Sequence, residues 1–130
     1  MLEPAIRDLA RGKNFAALTV LTPSGQPMTQ VMWVDADDEH VLINTEVHRY
    51  KYQAVQHDPR ATVMVWDASS PYRYVEVRGQ VVGEVRGPDA RAHIDRLAQQ
   101  YTGKDYAGQI QSERVILQIA PKRQYLRERP

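Results

Sequence analysis

The chain has no cysteine. Disulfides, thiolate nucleophiles and cysteine-based metal sites are therefore excluded. No apolar run approaches the ~18 residues that a membrane-spanning helix requires. The opening residues, Met1-Leu2-Glu3-Pro4, do not form a signal peptide, so a cytoplasmic location is expected. There is no excess of either charge: 17 Lys and Arg against 16 Asp and Glu leave a net charge of +1. Binding to nucleic acid as a whole-surface property is not expected from that balance. No internal repeat, linker or low-complexity segment interrupts the 130 residues, so residues 1–130 are read as one domain.

Several catalytic signatures are missing as well. Gly79, Gly83 and Gly87 recur every four residues, but in a strand-like run with charged neighbours, unlike a dinucleotide fingerprint. Gly103-Lys104 lacks the upstream glycine of a P-loop. No Gly-x-Ser-x-Gly is present. His40, His48, His57 and His93 lack zinc-ligand spacing, and no metal site is expected. Asp35, Asp37, Asp38 and Glu39 are most simply a solvated loop, with nothing to suggest the burial that would split their pKa values.

What is present is mostly strand. Leu2, Ile6, Leu9 and Ala10 recur at helical spacing, with Pro4 suited to the first turn and Gly12 to the stop. Residues 15–22 and 28–35 read as strands joined by Pro23-Ser24-Gly25-Gln26-Pro27. After the acidic loop comes a third strand, 41–45, expected to pair with the second as a hairpin. A short helix over 48–57 is stopped by Asp58-Pro59. Strands follow at 61–66 and 72–85, the second bent or bulged at Gly79 and Gly83. Pro88 opens a helix whose one face carries Ala90, Ile94, Leu97, Ala98 and Tyr101. A last strand covers 115–120 and extends towards Leu126. Hairpin-linked strands with few helices predict a mainly β fold, a six-stranded antiparallel barrel with short flanking helices. Val31, Met32, Trp33 and Val34 are apolar on both strand faces, which predicts a second buried face and hence a homodimer.

The most informative stretch runs from Thr45 to Lys51. A hydroxyl, a guanidinium and an ammonium, from Thr45, Arg49 and Lys51, gather where a strand ends and a helix begins. Free N–H groups and the positive end of the helix dipole attract anions there, and cationic side chains add charge-assisted hydrogen bonds. Two readings stand at this level: a phosphate cradle, or a solvated basic helix start. Trp33 likewise reads as core or as the wall of a planar-ring site.

Ser24-Gly25-Gln26-Pro27, Val31 to Val34, Asn44-Thr45, Arg49-x-Lys51, Asp58-Pro59-Arg60, Tyr74 and Gly79 occur in this order. Across roughly residues 5–126 the chain resembles the split β-barrel superfamily of pyridoxamine 5′-phosphate oxidase-like flavoproteins. It is most similar to the small actinobacterial branch that uses the deazaflavin coenzyme F420. The resemblance implies a homodimer with cofactor sites between subunits. It implies that Gln30, Val31, Met32 and Trp33 run beside the cofactor ring, and that Thr45, Arg49 and Lys51 hold its phosphate. Arg73 and Tyr74 would reach the site from the same or the partner subunit.

Some positions depart from the wider family. Pyridoxamine phosphate oxidases are longer and end in Arg-Leu-x-Pro, whereas this chain ends Tyr125-Leu126-Arg127-Glu128-Arg129-Pro130. Thr29 stands where those oxidases carry a flavin-binding Arg. Both differences argue against vitamin B6 oxidation. Ala54 stands where the deazaflavin branch often has Asn. The expectation is an oxidoreductase in which reduced F420 donates hydride to an unsaturated small molecule: an enone, a quinone or a tetrapyrrole. The alternatives are an FMN-dependent enzyme of the same fold and a non-catalytic cofactor carrier. No side-chain nucleophile is needed, because the cofactor carries the chemistry.

Overall fold

The computed structural model describes residues 1–128; Arg129, which with Lys122, Arg123 and Arg127 makes the C-terminal stretch cationic, and Pro130 lie outside the described residues. In chain order the elements are α1 (Pro4–Arg11), β1 (Phe15–Leu21), β2 (Pro27–Met32), β3 (Asp35–Ala36), β4 (Val41–Glu46), α2 (Tyr50–His57), β5 (Arg60–Asp67), β6 (Ser70–Arg86), α3 (Pro88–Thr102) and β7 (Arg114–Arg127). The strands form one antiparallel sheet in the order β2-β1-β5-β6-β7-β4-β3.

Alternate residues of a strand face opposite sides of the sheet, and here one side closes on a single core. Leu18 and Val20 of β1, Ile43 of β4, Val63 and Val65 of β5, Val75 and Val77 of β6, and Leu117 and Ile119 of β7 are all buried in it. The sheet must curl for strands so far apart in its order to share one core. Two register shifts in β6 supply the bend, between Arg78 and Gly79 and between Val81 and Gly83. A Cβ at Gly79 would overlap the carbonyl oxygen of Ala120, so the close approach of β6 to β7 requires glycine there. Pro121, which has no N–H for the ladder, pairs with Gly79 at that irregularity.

The helices mostly begin and end where the sequence predicts. Gly103 closes α3 in the left-handed conformation, at φ 79°, with its N–H on the carbonyl of Gln99. α3 does not join the main core. Its Ile94, Leu97 and Tyr101 form a second apolar cluster with Trp33 and Tyr106. Among the described residues, no helix is long and apolar enough to cross a membrane.

Three expectations are corrected. There are seven strands rather than six, because Asp35 and Ala36 pair with Leu42 and Val41; two residues are too few to show a strand period. The second strand stops at Met32 and pairs with β1 alone, so it forms no hairpin with β4; β4 lies between β7 and the two-residue β3. Asp35 is not in a solvated loop but buried: its Oδ2 accepts from His93 Nε2 at 2.9 Å and from Arg96 Nη2 at 3.0 Å.

Candidate functional site

Three chain segments converge at one edge of the curled sheet. β4 ends in Asn44, Thr45 and Glu46; the turn after it leads through Arg49 into α2, where Lys51 sits in the first turn. β7 begins opposite, with Arg114 directly across from Glu46 and Val115 across from Thr45. β2 delivers Val31 and Met32 and passes on to Trp33. The N-cap residue of α2, Arg49, makes no side-chain cap hydrogen bond, so it leaves the donors of the first turn without the acceptor a capping side chain would supply.

Two adjoining hollows occupy this corner. A 280 Å³ hollow is lined by Gln30, Val31, Arg49, Tyr50 and Lys51. A 230 Å³ hollow shares Val31, Arg49 and Lys51 with it and adds, among others, Trp33, Thr45, Tyr106 and Arg114. Among the described residues, no acidic side chain lines either hollow. The second hollow has two unlike ends. One is apolar and aromatic: Trp33 lies flat on Tyr101 with ring centres 5.0 Å apart and 6° between planes, and Tyr106 meets Trp33 edge-on. The other end is cationic.

The electrostatics of the cationic end are set by one carboxylate. Glu46 is fully buried. Its Oε1 accepts from the backbone N–H of Gln111 at 2.7 Å and of Ser112 at 2.9 Å. Its Oε2 is shared at longer range by Arg49 Nη2 (3.4 Å) and Arg114 Nη1 (3.5 Å). Burial pushes the Glu46 carboxyl upward, but the two backbone donors and then Arg114 and Arg49 outweigh it and hold it below its ordinary value. Lys51 is lowered, first by burial and then by the charges of Arg49 and Arg114. Three cations therefore face one buried anion, and they repel one another.

Two buried polar atoms in this corner have no hydrogen-bond partner among the described residues: Thr45 Oγ1 and Arg114 Nη1. Both residues line the 230 Å³ hollow. Buried polar groups are almost always satisfied, so an unpaired hydroxyl and an unpaired guanidinium nitrogen on two residues that line one cavity fit an anionic ligand group. Taken with the flat aromatic end, the corner suits a ligand that joins a planar ring to a phosphate.

Seven of the residues singled out from the sequence meet here: Gln30, Val31, Met32, Trp33, Thr45, Arg49 and Lys51 all line one or both hollows. Arg73 and Tyr74 are not brought to them within this chain. They lie near the start of β6, where Arg73 bonds Glu128 and pairs with Asp67, and Tyr74 lines a separate 580 Å³ hollow between β6 and β7. Sequence reasoning passed over Glu46, Tyr106 and Arg114. Glu46 and Arg114 are charged residues at the ends of apolar strands, a position usually left to solvent, and only the register of β4 with β7 places them together.

Solved structures of the same architecture are numerous. An F420 reductase is 26% identical, with a TM-score of 0.78 over 95% of this chain and 98% of that one. A conserved hypothetical protein of Mycobacterium tuberculosis, Rv2991, is 23% identical, with a TM-score of 0.77 over 98% and 85% of the two chains. HupZ of Group A Streptococcus, at 13% identity, superposes with a TM-score of 0.66 over 97% and 94%. No curated protein matches the sequence. The family model described as pyridoxamine 5′-phosphate oxidase matches residues 2–128. That span takes in every strand of the curled sheet and both hollows, and the chain belongs to the pyridoxamine 5′-phosphate oxidase family with its split-barrel fold.

Proposed function

We propose that this protein is an F420-dependent oxidoreductase that reduces an unsaturated organic small molecule. The observation that carries the reading is that Thr45, whose buried Oγ1 has no hydrogen-bond partner among the described residues, lines the same hollow as Arg49 and Lys51, beside Trp33. Reduced F420, when bound, supplies a hydride from its deazaflavin ring. The chain's residues bind and orient. Thr45, Arg49 and Lys51 hold the phosphate through a hydroxyl and two charge-assisted contacts. Gln30 to Trp33 flank the ring. The aromatic and aliphatic end formed with Ile94, Leu97 and Tyr106 excludes water, which strengthens every charge interaction beside it. No nucleophile is required of the protein.

The second part of the reading is a homodimer. The outer sheet face carries a row that crosses five strands: Val31, Ala17, Met64, Glu76 and Tyr125 are successive cross-strand neighbours. Val31, Met64 and Tyr125 on it are exposed. Val31 also lines both cofactor hollows, so a second copy on this face would lie beside the site. Arg73 and Tyr74 would then be candidates to reach the partner's cofactor. A cytoplasmic setting accompanies this reading.

The F420 reductase similar along its whole length supports F420 over FMN, as does Thr29, which lacks the guanidinium a flavin phosphate would use. FMN is the second reading, because both cofactors present a phosphate to Thr45, Arg49 and Lys51. The deciding experiment titrates the purified protein with each cofactor by fluorescence. Tighter binding of F420, followed by acceptor-dependent reoxidation of its reduced form across enones, quinones and tetrapyrroles, is expected. Submicromolar FMN with weaker F420 would reassign the cofactor. F420 binding with no reoxidation by any acceptor would make the protein a carrier.

A further inference from the structure

We infer that Arg114 is a fourth anion-holding side chain of this site, set in place by Glu46 and Asn44 to meet the cofactor phosphate. The inference rests on the reading of the corner as a site for a phosphate-bearing cofactor, though not on which cofactor. Arg114 is buried, 5% exposed, at the head of β7. Its guanidinium is fixed from three sides. Nε donates to Asn44 Oδ1 at 2.9 Å. Nη1 lies 3.5 Å from Glu46 Oε2. Its centre sits 5.1 Å from the centroid of the Tyr106 ring.

A guanidinium buried only for structure would be saturated by acceptors, since leaving a charged donor open costs more than a neutral one. Here the available acceptor is already divided. Glu46 gives Oε1 to two backbone N–H groups and shares Oε2 between two guanidiniums, both beyond the usual 2.7–2.9 Å of a charge-assisted bond. Arg114 Nη1 is left without a hydrogen bond. Thr45 Oγ1, on the neighbouring strand, is left without one too, and both residues line the same hollow. A phosphate in that hollow that draws the Thr45 hydroxyl and the Arg114 guanidinium towards it would satisfy both and would offset the repulsion among Lys51, Arg49 and Arg114.

Asn44 completes the positioning. Because Arg114 Nε donates to its oxygen, its nitrogen faces outward, towards Ala90 O and His93 Nδ1, each at 2.9 Å. His93 must then accept at Nδ1 and carry its proton on Nε2, which faces Asp35. A chain of hydrogen bonds therefore runs from Asp35 through His93 and Asn44 to the Arg114 guanidinium, and it fixes that guanidinium in the lining of the hollow.

The test compares ligands that differ by the phosphate. Affinities for FMN against riboflavin, and for F420 against its phosphate-free deazaflavin–ribitol fragment, are measured for wild type, Arg114→Met and Arg114→Lys. Arg114→Met is expected to lose about tenfold or more of the preference for the phosphorylated member of each pair, and Arg114→Lys to recover part of it. A preference within about twofold of wild type in Arg114→Met, or in Arg114→Lys alone if the Met variant does not fold, overturns the inference. So does an equal loss for the phosphate-free ligands, which would mark Arg114 as structural. If FMN binds more tightly than F420 while the Arg114 effect persists, the F420 reading fails and the inference stands. Tight F420 binding that Arg114→Met leaves unchanged does the reverse. Wild type that binds neither phosphorylated ligand overturns both.

Discussion

Glu46 and Arg114 lie directly opposite each other in the β4–β7 register, both buried, with Oε2 and Nη1 3.5 Å apart. The pair divides its labour: Arg114 lines the proposed phosphate site and Glu46 lies behind it. The carboxylate stitches the loop at Gln111 and Ser112 to the end of β4 through two short backbone bonds. The guanidinium lines the hollow.

Glu46→Gln should cost about 3–5 kcal/mol of stability, the range for breaking a buried ion pair from one side. The pH dependence follows from the direction of the shift. The folded carboxyl is held below its ordinary 4.5, so its stabilisation is complete above that value and drains away as pH falls through the folded value. Urea melts of wild type and variant should therefore differ most near neutral pH and converge below pH 4.5. A gap that stays constant down to pH 3 would show that the carboxylate charge carries none of it.

Lys51→Ala and Arg49→Ala should each weaken cofactor binding by about 1–3 kcal/mol. Their effect on the apoprotein should be opposite in kind to that of Glu46. Lys51 is destabilised in place by burial and by its cationic neighbours, so removing it should leave the ligand-free melting temperature unchanged or slightly raised. Calorimetry with and without cofactor separates the two effects. Unchanged affinity in both variants would return this segment to a solvated helix start.

Asp35 marks where the sequence was least legible. Set among Asp37, Asp38 and Glu39 it resembles any solvated acidic loop, and nothing local announces that His93, 58 residues later, will cover it. Burial pushes its carboxyl upward, but the His93 hydrogen bond, the Ala36 N–H and the Arg96 charge outweigh it, and the net direction is down. Asp35→Asn should cost about 1–3 kcal/mol at neutral pH. Arg96→Ala should cost no more than about 1, because that guanidinium is two-thirds exposed. The Asp35→Asn deficit should shrink as pH falls below 3.8. Equal losses from the two variants would mean that Arg96 rather than His93 carries the site.

The same contrast runs through the fold. Helix α3 was legible because fifteen residues display a face. The cluster at Thr45, Arg49 and Lys51 was legible because its residues are close in sequence. β3 was not, at two residues, and neither was the place of Arg114, which depends on the register of β4 against a strand that begins 68 residues after β4 ends. Local periodicity reports which face is buried; it does not report which strands become neighbours.

A preference for F420 should weaken with salt but not reverse. F420 extends past its phosphate into a tail of carboxylates, which needs cationic surface. Arg60, Arg78, Lys122 and Arg123 line a 310 Å³ hollow on β5, β6 and β7. Arg60 is committed to Asp58, whose carboxyl it pulls down to about 2, and Arg78 is committed to Glu76. Lys122 and Arg123 have no ion-pair partner among the described residues. Contacts made there would be exposed, modest and screened over about 10 Å at 0.1 M salt. Titrations of F420 and FMN at low and high salt should show the two affinities drawing together, and Lys122→Ala with Arg123→Ala should flatten the salt slope for F420 alone.

The outer sheet face gives the sharpest test of assembly. Met64 stands mid-row, with Ala17 and Val31 on one side and Glu76 on the other, and it is not one of the buried residues of the core. Met64→Arg should therefore leave the fold intact and place an unpaired charge at the centre of a dimer interface. Obligate homodimer interfaces usually bury ~2,000 Å² or more, and a desolvated, unpartnered guanidinium at the centre costs several kcal/mol. Light scattering should find wild type as a dimer and Met64→Arg as a monomer with an unchanged circular dichroism spectrum. Because Val31 borders both this face and the cofactor hollows, the monomer should also bind F420 less tightly than wild type, without any change at Thr45, Arg49 or Lys51. A stable wild-type monomer at micromolar concentration would sink the shared site. A monomeric variant with wild-type F420 affinity would keep the dimer but confine the cofactor to one chain.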